Sequence, residues 1–332
     1  MKIKRRIHLF KRRKRRRRYI INKKNISNKY ILKVLIILFL SAIFYKLNKI
    51  NNNYRYFSCF VGRGRSENRY VRELVEHYIS IGVEKFYLGD DNPLGTEKFA
   101  DVIQDYIDKK IVNVYYYRKY NYGQCEFYNI LFERIKYTCN WIMFYDFDEF
   151  LEFTDKNMTI KDYLSKDEFK KCDVVKTHWL MYYDNDLVYY DNRTLKERFN
   201  KPDYHSHPNK FIKSIVRGKK YNGTIWKDDL GPHQPNESLV IRCDEVGNIV
   251  NVPHGILVNP NYKYTYIRHH TMKSAEEYSR KLIRGGNNDN KYNYTSCIQN
   301  FFRHNKFTKE KLAVFEKVLN MTFPIFHQKE YE

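Results

Sequence analysis

Residues 141–152 read Trp-Ile-Met-Phe-Tyr-Asp-Phe-Asp-Glu-Phe-Leu-Glu, an unbroken apolar run that stops at Asp146, Asp148 and Glu149. Such a run, bounded by charge, reads as a buried strand of a parallel sheet. Open α/β sheets bind ligands at the carboxyl ends of their strands. Two aspartates spaced i, i+2 at such an end can share one hard divalent cation that keeps positions open for substrate phosphates. The competing reading is a strand-end cluster that merely caps a turn, since Asp-x-Asp alone is a common tripeptide.

The sequence around this run alternates strand and helix signals. Tyr56–Val61 is an apolar run followed by the loop Gly62-Arg63-Gly64-Arg65. Tyr70, Val71, Leu74, Val75, Tyr78 and Ile79 then recur at helical spacing, with Gly82 placed as a C-cap. Lys85–Leu88 predicts a second strand, closed by the turn residues Asp90-Asp91-Asn92-Pro93. A helical stripe from Phe99 to Ile107, a strand at Ile111–Tyr117, a helix marked by Phe127, Ile130, Leu131 and Ile135, and the strand Trp141–Tyr145 complete the series. This order implies an α/β fold: an open, mostly parallel sheet flanked by helices. Gly62-x-Gly64 lacks the third glycine of a dinucleotide fingerprint. Past residue 153 the pattern predicts a helix near 159–170, a strand at 173–178, loops to about 262, and helices near 274–284 and 308–320.

The net charge of +23 belongs mostly to one end. Residues 1–33 hold 16 Lys or Arg and no acid, leaving 45 bases against 38 acids in the remainder. A body so mildly basic suits an anionic sugar nucleotide better than a duplex. The run Val34–Tyr45 follows directly. With its apolar neighbours it approaches the roughly 20 residues a bilayer needs, and Lys33 and Lys46 can snorkel. No small-x-small cleavage site follows it, so it reads as one uncleaved transmembrane signal anchor. The expected organisation is a basic cytosolic tail (1–33), an anchor (34–47), a short stem (48–55) and a globular domain (56–325). The positive-inside bias makes this a type II protein with its body in the lumen of the secretory pathway, as in the Golgi. The 6 Cys, at 59, 125, 139, 172, 243 and 297, all fall on that side, where disulfides are allowed. None has zinc-site spacing. Cys59, within a predicted core strand, reads as a buried thiol. Sequons at Asn157, Asn192, Asn222, Asn236, Asn293 and Asn320 agree with the compartment but arise readily in an Asn-rich chain.

Residues 67–92, the aspartate strand, Trp179–Phe199, Lys213–Arg217 and Arg268–Gly285 together resemble family 92 glycosyltransferases and their relatives in family 2, over roughly residues 56–320. The resemblance implies a GT-A fold, a UDP-sugar donor (UDP-galactose in most members of known activity), manganese or magnesium, a glycan or glycoprotein acceptor and inversion at the anomeric carbon. It implies Asp146 and Asp148 as metal-site residues, with His269 either completing the shell or touching the diphosphate. Glu149 is expected to brace the loop. Donor-binding candidates are Glu67, Asp90, Asp91, Gln124 and Lys273. Asp90 and Asp91 read equally well as turn residues, Glu67 as helix N-terminal charge compensation, and Ser274 with Glu277 as a capping box. Inversion needs a general base. Asp184, Asp186, Glu197, Asp228 and Asp229 are its candidates, with Asp148 counted among the catalytic residues. Trp179, Tyr182 and Tyr183 are candidates to stack on a sugar, with core packing the bland alternative for Trp179.

Other classes compete with this reading. A nucleic-acid-binding protein driven by Arg12–Arg18 would use the same polybasic run, but its junction with the apolar segment favours a topology signal. A metal-dependent phosphoesterase would need further His/Asp ligand clusters near Asp146, which the sequence does not show.

Overall fold

The computed structural model describes residues 33, 35–41, 54–116, 123–220, 225, 226, 233, 235, 240–251, 255–285 and 293–327. The chain divides into two compact units, Met1–Tyr54 and Arg55–Glu332. In the first, residues 35–41 are helical with exposed apolar side chains. No helix among the described residues is long and apolar enough to cross a membrane. Much of the anchor expected at 34–47, and most of the tail and stem, lies outside the described residues.

The second unit begins with the expected alternation. Strand β1 (Tyr56–Gly64) leads to helix α1 (Asn68–Ser80), β2 (Lys85–Asp90), α2 (Ala100–Asp108), β3 (Val112–Tyr116), α3 (Gln124–Ile135) and β4 (Cys139–Phe144). Helix α1 buries Tyr70, Val71, Leu74, Val75 and Tyr78, the stripe its sequence carries. Each such large apolar side chain contributes about 1.5–3 kcal/mol on burial. The remainder runs β5 (Glu149–Phe153), α4 (Ile160–Leu164), β6 (Val174–Tyr182), α5 (Leu195–Arg198), β7 (Pro202–Asp203), β8 (Ile212–Arg217), β9 (Arg242–Cys243) and β10 (Thr265–His269), then α6 (Ala275–Arg284), α7 (Tyr294–His304), α8 (Lys309–Leu319) and α9 (Pro324–His327).

Among the described residues ten strands join in the order β3-β2-β1-β4-β8-β6-β10-β5, with β7 and β9 pairing to β6. From β3 to β4 all neighbours are parallel. Beyond β4 the expectation of a mostly parallel sheet gives way to a mixed one. Strand β8 enters antiparallel between β4 and β6, and β5 closes the far edge antiparallel to β10. Sequence periodicity missed β5, β8 and β10 because all three carry charge inside an apolar segment. Glu149, Glu152, Lys213 and Arg268 are nonetheless buried, each beside an opposite charge.

Phe60, Tyr78, Phe86, Tyr145 and Phe147 belong to one core cluster, and Val61, Phe127, Phe132, Ile142 and Phe144 to another. A third packs Met181 and Tyr183 against Tyr278, Phe301 and Phe315 of the C-terminal helices. Cys59 is not a thiol. It forms a disulfide with Cys139, joining the adjacent strands β1 and β4, and Cys172 pairs with Cys243. Neighbouring parallel strands brought the two cysteines together, which spacing along the chain does not reveal.

Candidate active site

Asp146 and Asp148 lie in the link between β4 and β5. Phe147, between them, turns into the core, its ring centroid 5.2 Å from that of Phe99. It also lies against β1, where a Cβ added to Gly62 or Gly64 would come within 2.9 Å of its ring. The two glycines, which lie within β1 and not in the loop expected at residues 62–65, therefore let the strand pass close to Phe147. With Phe147 anchored, its two neighbours line a cavity of about 280 Å³ together with Arg63, Arg65, Lys281 and Arg284.

Each aspartate faces a lysine from a distant element. Lys213 of β8, wholly buried, places Nζ 2.7 Å from Asp146 Oδ2 and 3.4 Å from Glu149 Oε2. Gln124, at the start of α3, donates from Nε2 to Asp146 Oδ1 at 2.6 Å. Lys281 of α6 reaches Asp148 Oδ2 at 3.1 Å. Burial pushes both carboxyls up, but the cations outweigh it. Lys213 holds Asp146 below the ordinary carboxylate range, and Lys281 with His269 holds Asp148 well below it. Glu149 differs: burial dominates over Lys213 and pushes it up to about 8. Its Oε2 accepts the Asp146 amide at 2.9 Å, so it braces the loop. His233 also lines the cavity, and burial reinforced by the Lys213 charge pushes its imidazole down to about 3.

His269 ends β10 beside the start of β5, in register with Glu149. Its Nε2 is 3.6 Å from Asp148 Oδ1, and its buried Nδ1 has no hydrogen-bond partner among the described residues. Among these residues no group of three or more His, Cys, Asp or Glu is placed to hold a metal ion. A cation that takes most of its oxygens from a diphosphate and water needs only one or two protein ligands. Asp148 and His269 fit that requirement: they converge, and the histidine is not spent on another acceptor. Asp146 fits it less well, with Lys213 and Gln124 each occupying one of its oxygens.

The other sequence candidates divide. Glu67 and Asp91 line the same cavity. Glu67 is paired with Arg284, and Asp91 with Arg63 at 3.0 Å and Arg65 at 2.7 Å. Asp90 accepts the backbone amides of Asn92 and Phe99, which is turn chemistry. Lys273 lines an adjoining cavity of about 500 Å³, its ammonium 4.5 Å from the Tyr70 ring centroid. The capping box of Ser274 and Glu277 is present, and Glu277 also binds Arg198 at 2.7 Å. Three base candidates stand elsewhere. Asp184 is buried against Lys311 at 2.6 Å, Asp186 is exposed, and Glu197 caps α5 through Thr194. None lines the cavity of Asp146 and Asp148. Asp228 and Asp229 lie outside the described residues. Sequence reasoning passed over Arg63 and Arg65 as loop residues and missed His233. The signal for the arginines was their position, at the carboxyl end of the first strand of an α/β sheet.

An aspartate pair, a histidine and a set of guanidinium and ammonium groups thus open on one cavity at the carboxyl end of parallel strands. Such a set of cationic groups beside carboxylates can neutralise the charge of a phosphate-bearing ligand. The chain belongs to glycosyltransferase family 92, whose model matches residues 54–241, more than half of the 332 residues. It is thereby a glycosyltransferase. No curated protein matches the sequence. Among solved structures, TarS 1–349 of S. aureus overlaps at TM-score 0.35 and 12% identity, over 80% of this chain and 71% of that one. The same fragment in complex with UDP gives the same figures, and its complex with UDP-GlcNAc gives 14% identity over 80% and 72% of the two chains.

Proposed function

We propose that this protein transfers a hexose from a UDP-sugar, galactose by resemblance to its family, to a glycan or glycoprotein acceptor with inversion. The observation that carries this reading is the shared cavity of Asp146, Asp148, Arg63, Arg65, Lys281 and Arg284. The leaving group is a nucleoside diphosphate, whose charge grows as the glycosidic bond breaks. Cationic side chains fixed before the reaction stabilise that charge without reorganising. Lys281 and Arg284 project from the same end of α6 toward it. Gln124 and Lys213 fix the Asp146 carboxylate in place, and Asp91 orients Arg63 and Arg65. Manganese or magnesium, held by Asp148 and His269, would supply further neutralisation of the diphosphate.

The body is proposed to lie on the lumenal side of a secretory-pathway membrane such as the Golgi, anchored by the apolar run after the basic tail. The two disulfides support that compartment. Full-length protein screened with UDP-galactose, UDP-glucose, UDP-GlcNAc and UDP-GalNAc should hydrolyse one of them in the presence of manganese, and the anomer of the released sugar reads the stereochemistry. Failure to bind UDP or hydrolyse any of the four would overturn the donor assignment. Digestion of the body on sealed membranes without detergent would overturn the topology.

A further inference from the structure

A third cavity, of about 580 Å³, shares Trp179, His269 and Thr271 with the cavity of the aspartate pair. Its remaining wall has a different chemistry. It carries Phe211, Tyr183 and His304, with methionine, proline and other polar residues, and no Asp or Glu among its described lining. The rings are organised. Trp179 stands with its ring centroid 5.4 Å from Phe211 and 4.1 Å from His269, and His304 stacks on Tyr183 at 4.9 Å with 12° between planes. Trp179, Phe211 and His304 are only partly buried, although Trp179 also packs against two of the core clusters. Trp179 is therefore not simply the core residue its strand position suggests. It is the partition between an ion-lined cavity and an aromatic one.

We infer that this aromatic cavity is the acceptor subsite, and that it takes a pyranose ring of a glycan free of positive charge. The inference rests on the donor reading above, and specifies the other half of the reaction. Aromatic side chains offer flat apolar faces that match the C–H face of a sugar ring. Pockets of this size commonly combine an apolar lining with a few polar groups that set orientation, which His304 and Asn300 supply here. A cationic acceptor would find no described carboxylate on this wall, and Arg303 would repel it. The shared wall at Trp179 and His269 puts an acceptor hydroxyl next to the transferred sugar without placing it among the diphosphate contacts.

Tryptophan fluorescence tests the assignment directly, because Trp141 and Trp226 are each only 1% exposed and Trp179 is the partly exposed one. Full-length protein would be titrated with methyl glycosides of galactose, glucose, mannose, fucose and N-acetylglucosamine, and separately with UDP. The expected result is a saturable change with at least one glycoside at millimolar concentration, absent in Trp179→Phe. Phe211→Ala and His304→Ala should weaken it about tenfold or more while UDP affinity holds. Phe211→Leu, which keeps apolar volume but removes the ring, controls for misfolding and should weaken it comparably. A wild-type protein indifferent to all five glycosides overturns the inference, as does undiminished glycoside binding in the Phe211 and His304 variants. The UDP titration is read independently, so failure of the donor reading is separable from failure of this one.

Discussion

The Lys213 ammonium lies 2.7 Å from a carboxylate oxygen of Asp146 and is wholly buried, with Glu149 as its second acidic neighbour at 3.4 Å. Lys213 belongs to β8 and the two acids flank the turn after β4, so one ion pair ties a sheet strand to the loop that shapes the site. Removing the lysine charge leaves the Asp146 carboxylate without its cation, at a cost below that of breaking a wholly buried pair, because Asp146 is partly exposed and Glu149 is already pushed toward its neutral form. Lys213→Met should therefore lower the melting temperature and activity together. Thermal melts beside UDP-sugar hydrolysis check this, and an unshifted melt would show that the pair does not hold the loop.

Asp148 and Asp146 should respond differently to the same substitution. Asp148→Asn leaves behind Lys281, which is partly solvent-exposed, so the fold should survive. Its rate should fall by about 10²–10³, the scale of one lost transition-state contact. Asp146→Asn leaves the wholly buried Lys213 facing a neutral amide. It should destabilise as well as slow the enzyme. Circular dichroism, melts and kinetics on the same preparations separate the two cases.

Cation dependence should reside in Asp148 and His269. UDP affinity measured by calorimetry is expected to rise at least tenfold on adding manganese, and to lose most of that gain in His269→Ala. Equal affinity with and without the metal in the wild type would remove the metal from the proposal.

Glu277 gives a pH-dependent stability. Burial pushes its carboxyl up, but the Arg198 ion pair and the bonds from Ser274 and Tyr70 outweigh this and hold it below the usual range. A carboxyl depressed in the fold stabilises fully above its unfolded value, about 4.3. That contribution is lost as pH falls through the lower folded value. Glu277→Gln should thus be destabilised at pH 7, with the deficit against wild type shrinking below about pH 4. Urea unfolding at a series of pH values checks the slope.

The disulfides close stretches of 80 and 71 residues. Chain-entropy accounting gives about 4.5 kcal/mol for each. Reductant should lower the melting temperature by about 10 °C or more. Cys59→Ser with Cys139→Ser should reproduce part of that loss without added reductant.

The N-terminal half of the sheet was legible from the chain because its strands are apolar runs and its helices carry clean stripes, as in β1, α1 and β4. The same local signal exposed Asp146 and Asp148, since charge that abruptly ends an apolar run needs no partner to be noticed. The family could be recognised from motifs spread along the chain. Only the tertiary structure decided that β8 runs antiparallel beside β4, that Cys59 meets Cys139, and that Lys213 and Lys281 neutralise the two aspartates. It likewise brought His269 to Asp148, set Asp184 and Glu197 to work away from the cavity, and made Trp179 a wall between two cavities. The physical reason is common to all of these. Periodicity records which face of an element is buried, whereas a buried charge, a disulfide or a shared cavity wall depends on partners tens of residues away, which only the packed sheet brings within a few ångströms.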